Sequence, residues 1–433
     1  MTVFADIMLL GWIPMALVLF YVWPTQRAIV GSTIIGWLFL PNAAYELPGF
    51  PDFTKTNATI LAAFLGALVF QPQPLLRLRP CRWDLPVAVM CFCPALSSLA
   101  NDLGGYEAMS SSLAATVTWG LPYILGRAFF NNMNALKELA IGIMIGGIVY
   151  VPLCLWEIRM SPQLHYDFYG FRTQLFAYGS RFGGYRPSVF MWTYLPVVMW
   201  LSMSVIICFQ FWSFKSIRRM FHIPIGLHLI ALLVTLFLCK QFIAAILVPS
   251  GIGILWVAKR HRVTLPYVIL LLGIPFIMGL RATGAWSARS FLDVVSEISA
   301  ERAQSLEFRL INEDEMAAQA RLRPVFGWGG FGRNRVVDEE GRDQSITDGL
   351  WIIEFGTHGM LGLLGLIGLF FFPLFRLWQR SSKADWRNKQ LMPAATCAVC
   401  VLMVFLFNIP NASDNPIVTL MIGGLALLRR PAT

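Results

Sequence analysis

Charge is what this sequence has least of. Only 13% of its 433 residues are Asp, Glu, Lys or Arg, where a soluble domain carries about 25%. The deficit excludes an ordinary soluble globular protein and places the chain in the integral membrane class. Acid is scarcer still, with 24 acidic residues against 34 basic ones and a net charge of +10. Such an excess points to nucleic acid only if it clusters on one soluble face. Here it falls in short loops between apolar runs, as the positive-inside rule predicts, so no nucleic-acid partner is expected. The polar loops lack cysteine: Cys81, Cys91, Cys93, Cys154, Cys208, Cys239, Cys397 and Cys400 all lie in or beside apolar runs. That excludes a disulfide framework. Cys397 and Cys400 form a C-x-x-C without a second pair and read as helix-packing residues. Fixed-period repeats, low-complexity tracts and a cleavable signal-peptide pattern are missing too. The first apolar run, Val3 to Val22, is long enough to be a span.

What is there is oil, 57% of the residues. Apolar runs occupy about 3–22, 28–42, 57–71, 84–100, 108–128, 138–157, 188–212, 222–239, 241–257, 264–281, 349–377, 390–409 and 415–429. With the weak ones at 28–42 and 415–429, they predict about 12–14 transmembrane helices. An open sheet cannot satisfy its backbone in lipid, so these are helices. The expected fold is an all-α polytopic membrane protein, a single integral membrane domain over residues 1–433. The loops between the runs alternate. Basic ones carry Arg77, Arg79 and Arg82; Arg127 and Lys137; Lys215, Arg218 and Arg219; Lys259, Arg260 and Arg262; and Arg376, Arg380, Lys383, Arg387 and Lys389. The intervening ones are acidic, neutral or long. Basic loops belong in the cytoplasm, which puts the loops 158–187 and 281–348 on the outer face. The second is large and partly helical, with an amphipathic stretch from Ser296 to Leu322 that Pro324 ends.

Several outward-facing residues could carry chemistry. Arg172, Arg181 and Arg186 lie in the first outer loop, Lys240 between two apolar runs, and Arg309, Arg321, Arg323, Arg333 and Arg335 in the second loop. Positive charge on the outside runs against the topological bias and wants a reason. A diphosphate or other anion supplies one, through the Arg fork or the Lys point charge. Lys240 either does this or snorkels to water. The glycines of PVFGWGGFGRNR either aim backbone amides at an anion or form a turn that packs Phe326, Trp328 and Phe331 on the membrane surface. The segment lacks the glycine–lysine–hydroxyl ending of a P-loop. Asp348 opens the run after the second loop, either capping a helix or serving as a base for an acceptor hydroxyl. Glu354 lies deeper in that run and is expected to face a cavity or a partner; His358 reads as a packing residue. The acid runs Glu313–Asp314–Glu315 and Asp338–Glu339–Glu340 read as solvated faces. Their carboxylates point apart rather than converging as a hard cation needs, so no metal site is expected.

Arg309, Pro324-Val325-Phe326-Gly327-Trp328-Gly329, then Asp348-Gly349 and Gly359-Met360-Leu361-Gly362 follow one another along the second loop and the run after it. In that pattern residues 140–370 resemble the O-antigen ligase and polymerase superfamily. GGYRPSVF, with Arg186 ahead of a long run, resembles the family's arginine-bearing lead into a mid-chain helix, and Lys240 stands where many members have Arg. The resemblance implies a metal-independent and cofactor-free membrane glycosyltransferase of the GT-C type in the bacterial inner membrane. It would take a glycan from an undecaprenyl-diphosphate carrier on the periplasmic face. It implies diphosphate binding by outer-loop arginines, with Arg186, Lys240, Arg172, Arg181 and Arg323 as substrate-binding candidates and Arg309 and Asp348 as catalytic ones. Where ligases have a His, this chain has Asp348, which leaves polymerisation or another acceptor open. The alternative is a transporter or flippase for a lipid-linked sugar or other anion, which should show broken central helices and paired half-repeats. The sequence shows neither clearly.

Overall fold

Inside lipid a backbone group finds no water, so each apolar run closes its own hydrogen bonds as a helix. The computed structural model describes residues 2–46, 51–173, 179–181, 183–286, 300–337, 339–340, 342–343, 345, 349–382, 385–413 and 415–428; the side chains of 181, 300–306 and 308 are outside that description. The helices run in order as α1 Val3–Leu10, α2 Trp12–Val22, α3 Thr25–Phe39, α4 Lys55–Phe70, α5 Gln73–Leu76, α6 Leu85–Ala100, α7 Gly104–Ala115 and, after a π-helical stretch at Thr116–Gly120, α8 Leu121–Phe129. Then come α9 Met133–Met160, α10 Leu164–Tyr169, α11 Tyr194–Ser213, α12 Ile225–Leu238, α13 Phe242–His261 and α14 Leu265–Thr283. The last four are α15 Ala300–Arg321, α16 Leu350–Arg380, α17 Met392–Asn408 and α18 Pro416–Ala426. Strands among the described residues are limited to three hairpins of two-residue strands. One of them pairs β1, Ser180–Arg181, with β2, Gly184–Tyr185.

The chain is therefore an all-α, multi-pass membrane protein. Among the described residues six segments are long and apolar enough to span: Arg82–Ala100, α9, α11, α13, α14 and α16. Bent by 42°, α1 and α2 make a seventh as a pair. The helices α4, α12, α17 and α18 are apolar but of 10–17 residues; at a 1.5 Å rise they fall short of a hydrocarbon layer of about 30 Å. Helix ends follow local chemistry. The Asn132 side chain caps α9 by accepting from Ala135 N at 3.0 Å. Gly284, left-handed at φ 77°, closes α14.

The centre is built from α11, α17 and α18. Nearly every residue of α17 and all of α18 are buried, so the run at 415–429, weak in the sequence, is a core element. There α8 and α18 cross backbone to backbone. A Cβ on Gly126 would strike the Leu420 carbonyl, and one on Gly423 the Tyr123 carbonyl. Small residues allow this approach where dispersion has to hold helices together in lipid.

Contacts at the two ends of the bundle repeat the alternation in loop charge. At one end Arg127 pairs with Asp84 and donates to Arg79 O, Arg376 lies over the Trp83 ring at 4.9 Å, and Lys259 donates to Ser213 O at 2.8 Å. The other end gathers the intervening loops, and the described candidate residues lie there.

Candidate functional site

The first long loop is more ordered than a polar linker. In the sequence the run ends at about residue 157, but α9 continues to Met160, and α10 and the β1–β2 hairpin follow. Glu157, fully buried in the last turn of α9, organises this region. Its carboxylate accepts from Leu164 N at 2.9 Å, Ser188 N at 2.8 Å and Val189 N at 2.7 Å. Val189 sits at φ 51°, a conformation a β-branched residue adopts only when its surroundings enforce it. Glu157 thus pins both ends of the loop. The sequence reading passed over it, although a carboxylate at the end of a span is the signal that should have flagged it.

Arg186 stands just ahead of that pinned segment. It is 8% exposed, and its guanidinium lies 3.6 Å from the centroid of the Tyr194 ring. Lys240, at φ 56° in the turn between α12 and α13, reaches the same hairpin: a Cβ on Gly184 would collide with its Nζ. Two cations 54 positions apart in sequence (186 and 240) are therefore brought to one hairpin. Arg172 is exposed and lies over the Tyr166 ring at 5.4 Å. Arg181 is in β1, opposite Gly184, and its side chain is outside the described residues.

Beside this hairpin lies a second polar group absent from the sequence reading. Lys55, at the start of α4, is buried and donates to Phe190 O at 2.7 Å, which also accepts from Asn42 Nδ2 at 2.7 Å. His165 accepts from Asn42 N at Nε2, 3.1 Å, and donates from Nδ1 to Phe171 O, 2.9 Å. Burial first, then Lys55, lowers its pKa from 6.5 to about 4, with the Phe171 bond opposing. The folded loop holds a neutral imidazole, and the opened loop binds a proton more readily. The closed state is thus at full stability above the ordinary histidine pKa and loses stability as pH falls toward 4, by up to about 3 kcal/mol. Amide exchange at Asn42 and 164–171, corrected for intrinsic rates, should rise between pH 6.5 and 4.5 in the wild type. It should rise much less in His165→Gln. Equal pH dependence in both proteins would remove His165 as the cause.

The second group of candidates surrounds a break in α16. Gly359 has φ 65° and ψ −159°, and the helix is interrupted there. The glycine-rich turn fills the gap. Trp328 N and Gly329 N donate to Gly356 O and Thr357 O, both at 2.9 Å. Below the break Met360 N donates to Pro324 O at 2.7 Å and Leu361 N to Val325 O at 3.3 Å. The turn replaces the bonds that the broken helix lost, so two of the amides offered to an anion in the sequence reading are already committed. Gly327 and Gly329, at φ 68° and 78°, make the tight path. Hydropathy did not reveal this break, since the run stays apolar on both sides of Gly359.

Asn101, at the end of α6, ties the turn down through Gly327 O at 3.0 Å. It also accepts from Arg323 at Oδ1 and from Arg333 at its carbonyl, 3.5 Å. Arg323 lies over the Trp328 ring at 4.6 Å and is exposed. Arg309 is exposed on α15. Among the described residues no contact joins Arg309 or Arg323 to Arg186 or Lys240. Asp348 lies outside the described residues.

Two sequence expectations need correction here. Glu313 and Asp314 are not a solvated face. Glu313 is 8% exposed and pairs with Arg281, which also bonds Asp314 at 3.0 Å. The reason is geometric: α15 lies back over the end of α14, and burial raises the Glu313 pKa against the pull of Arg281. The Arg281 guanidinium also lies 5.0 Å from the Trp351 ring, bracing the start of α16. Glu315 alone of that run is exposed, whereas Glu339 and Glu340 are exposed as expected. His358 is no mere packing residue, for its Nδ1 lies 2.7 Å from Glu354 Oε2. No His/Cys/Asp/Glu cluster able to hold a metal occurs among the described residues.

No protein-family model matches the chain, and no curated protein matches it.

Proposed function

We propose that this chain is a membrane glycosyltransferase of the O-antigen ligase or polymerase kind. It would move a glycan from undecaprenyl diphosphate to a sugar or lipid-linked acceptor. On this reading it lies in the bacterial inner membrane with about 12–14 spans, and the end bearing Arg186 and Lys240 faces the periplasm. The observation that supports it is the approach of Lys240 to the hairpin leading into buried Arg186, in a loop pinned by Glu157. In the reaction the acceptor oxygen bonds to the anomeric carbon while the bond from that carbon to the diphosphate oxygen breaks. The diphosphate leaves with the electron pair. Fixed cations stabilise that charge as it develops. Arg186 and Lys240 are assigned this role, with Arg172, Arg181, Arg309 and Arg323 completing the anionic substrate's contacts. Asp348 is assigned to orient the acceptor hydroxyl.

A second reading, a transporter or flippase for a lipid-linked sugar or other anion, is favoured by the break in α16, since transporters use broken helices. Here, however, the chain's own turn occupies the break.

Glycan analysis of a strain lacking the gene separates these readings. Single repeat units accumulating on the carrier, with long chains missing, indicate a polymerase. Long chains retained on the carrier indicate a ligase. If neither pool changes, the enzyme reading fails. In the complemented strain, Arg186→Ala and Lys240→Ala should each lower product by at least roughly 100-fold, with membrane levels of the protein unchanged. Full activity in both variants would remove the diphosphate site.

A further inference from the structure

The basic end of the bundle holds a cavity of about 700 Å³. It opens between the turn that joins α4 to α5 and the turn that joins α8 to α9, and its lining includes Phe70, Gln71, Gln73, Arg77, Ala128 and Asn131. Pro72 and Pro74 shape the first wall. Neither has an amide to offer a helix, so α4 ends at Phe70 and the chain turns through short α5. The second wall is braced from behind. Asn131 Nδ2 donates to Arg127 O at 3.1 Å and Gln26 Nε2 to Phe129 O at 3.0 Å, while the Arg127 guanidinium is held by Asp84 and by Arg79 O. All these bonds are made within the chain, so the fold itself sets the wall.

The cavity offers a cation without a matching acid. Its lining carries no Asp or Glu. Arg77 is exposed, and among the described residues no carboxylate pairs with it. The carboxylates on the adjoining segments are already committed. Asp84 binds Arg127 and accepts from the Tyr123 hydroxyl at 3.0 Å, and Glu138 pairs with Arg27 at 3.2 Å. Gln71, Gln73 and Asn131 add neutral amides, which donate and accept. A guanidinium among neutral amides suits a phosphate, held by the arginine fork, with hydroxyl groups beside it. It has no counter-charge to give an ammonium.

The surface beside the cavity selects the source of that phosphate. Leu65, Leu68 and Val69, three and four positions apart on α4, form an exposed apolar stripe that ends at exposed Phe70, a lining residue. Leu76, next to Arg77, is 76% exposed. Exposed apolar side chains give way here to Gln71 and Arg77, as they do where a chain leaves lipid for water. A soluble phosphate gains nothing from the stripe, whereas acyl chains do. We propose that this cavity binds an anionic phospholipid whose head carries hydroxyls and no amine, of the phosphatidylglycerol kind. Arg77 holds the phosphate, the amides of Gln71, Gln73 and Asn131 meet the head's hydroxyls, and the acyl chains lie along the α4 stripe. Basic pockets between membrane helices take acidic headgroups in this way. The inference stands apart from the glycosyltransferase reading and uses none of its residues.

The test titrates delipidated full-length protein in detergent with phosphatidylglycerol or phosphatidylethanolamine, read by native mass spectrometry and by melting temperature. Phosphatidylglycerol should bind about fivefold or more tightly than phosphatidylethanolamine and raise the melting temperature. Arg77→Ala should lower its affinity by about tenfold. Arg77 is exposed, so the lipid-free variant should melt with the wild type. Lys389→Ala removes the same charge from an exposed site in another basic loop and should leave the affinity within about twofold of wild type. Equal affinity for the two lipids, or unchanged phosphatidylglycerol affinity in Arg77→Ala, overturns the site. An equal loss in Lys389→Ala shows attraction to bulk charge and overturns it too. If soluble glycerol phosphate raises the melting temperature as much as the lipid does at equal concentration, the occupant is a free phosphate and the lipid assignment falls.

Discussion

Glu157→Ala should open the loop from Ser161 to Thr193 while leaving the helices in the membrane. Three buried amides, Leu164, Ser188 and Val189, would lose their acceptor at once. An unsatisfied buried amide costs about 1–3 kcal/mol, so the closed loop loses on the order of 5 kcal/mol. The chain recovers most of that by unfolding locally to reach water, and Val189 also escapes its left-handed conformation. Glu157→Gln should fall between. Its one carbonyl oxygen cannot serve both the Leu164 side and the Ser188–Val189 side, and its NH₂ confronts a donor. Hydrogen exchange at Ser188 and Val189 and proteolytic nicking of the loop report the change. Protection equal to wild type in Glu157→Ala would show that the carboxylate does not hold the loop. The functional consequence follows from position: Arg186 sits two residues before Ser188, so an open loop disperses the proposed anion site without altering any cation.

Gly359→Ala should be the more damaging change to the bundle itself. At φ 65° and ψ −159° the backbone is in a region that is essentially glycine-only, costing other residues about 1–3 kcal/mol. A Cβ there would also strike the Val325 carbonyl, and that backbone cannot step aside because Leu361 N bonds to it. The expected result is a large drop in melting temperature and loss of monodisperse protein in detergent. Gly253→Ala in α13, where an added Cβ meets nothing within 4 Å, is the control. It should be neutral or stabilising by up to about 1 kcal/mol. If Gly359→Ala melts with the control, the turn does not lock the break. Gly327→Ala should resemble Gly359→Ala, since its Cβ would lie 2.6 Å from the Thr357 backbone.

Much of this was legible in the sequence because lipid leaves the backbone few choices. A low charge content and long apolar runs force helices, and each run is helical over most of its described length, with 3–22 and 108–128 each divided between two helices. The charge alternation separated the two ends of the bundle before any contact was known. The glycines of PVFGWGG announced a tight turn. What the sequence could not say is what that turn was for. The amides of Trp328 and Gly329 are spent on a neighbouring helix, a contact between segments some thirty positions apart that no local pattern encodes. Glu313 likewise looked solvated in its acidic run, and only the return of α15 over Arg281 buries it. Lys55 gave no composition signal because a single charge at the edge of an apolar run is as often solvated as satisfied, and the place of Glu157 at the end of a span could not say which distant amides it holds. His358 passed as a packing residue for the same reason. A helical spacing of four allows a pair with Glu354, but the choice of rotamer decides whether it forms. Sequence alone thus determined where the chain must be helical, because that follows from the solvent. Only the tertiary structure decided which buried polar groups have partners, because partners come from distant segments that packing brings together.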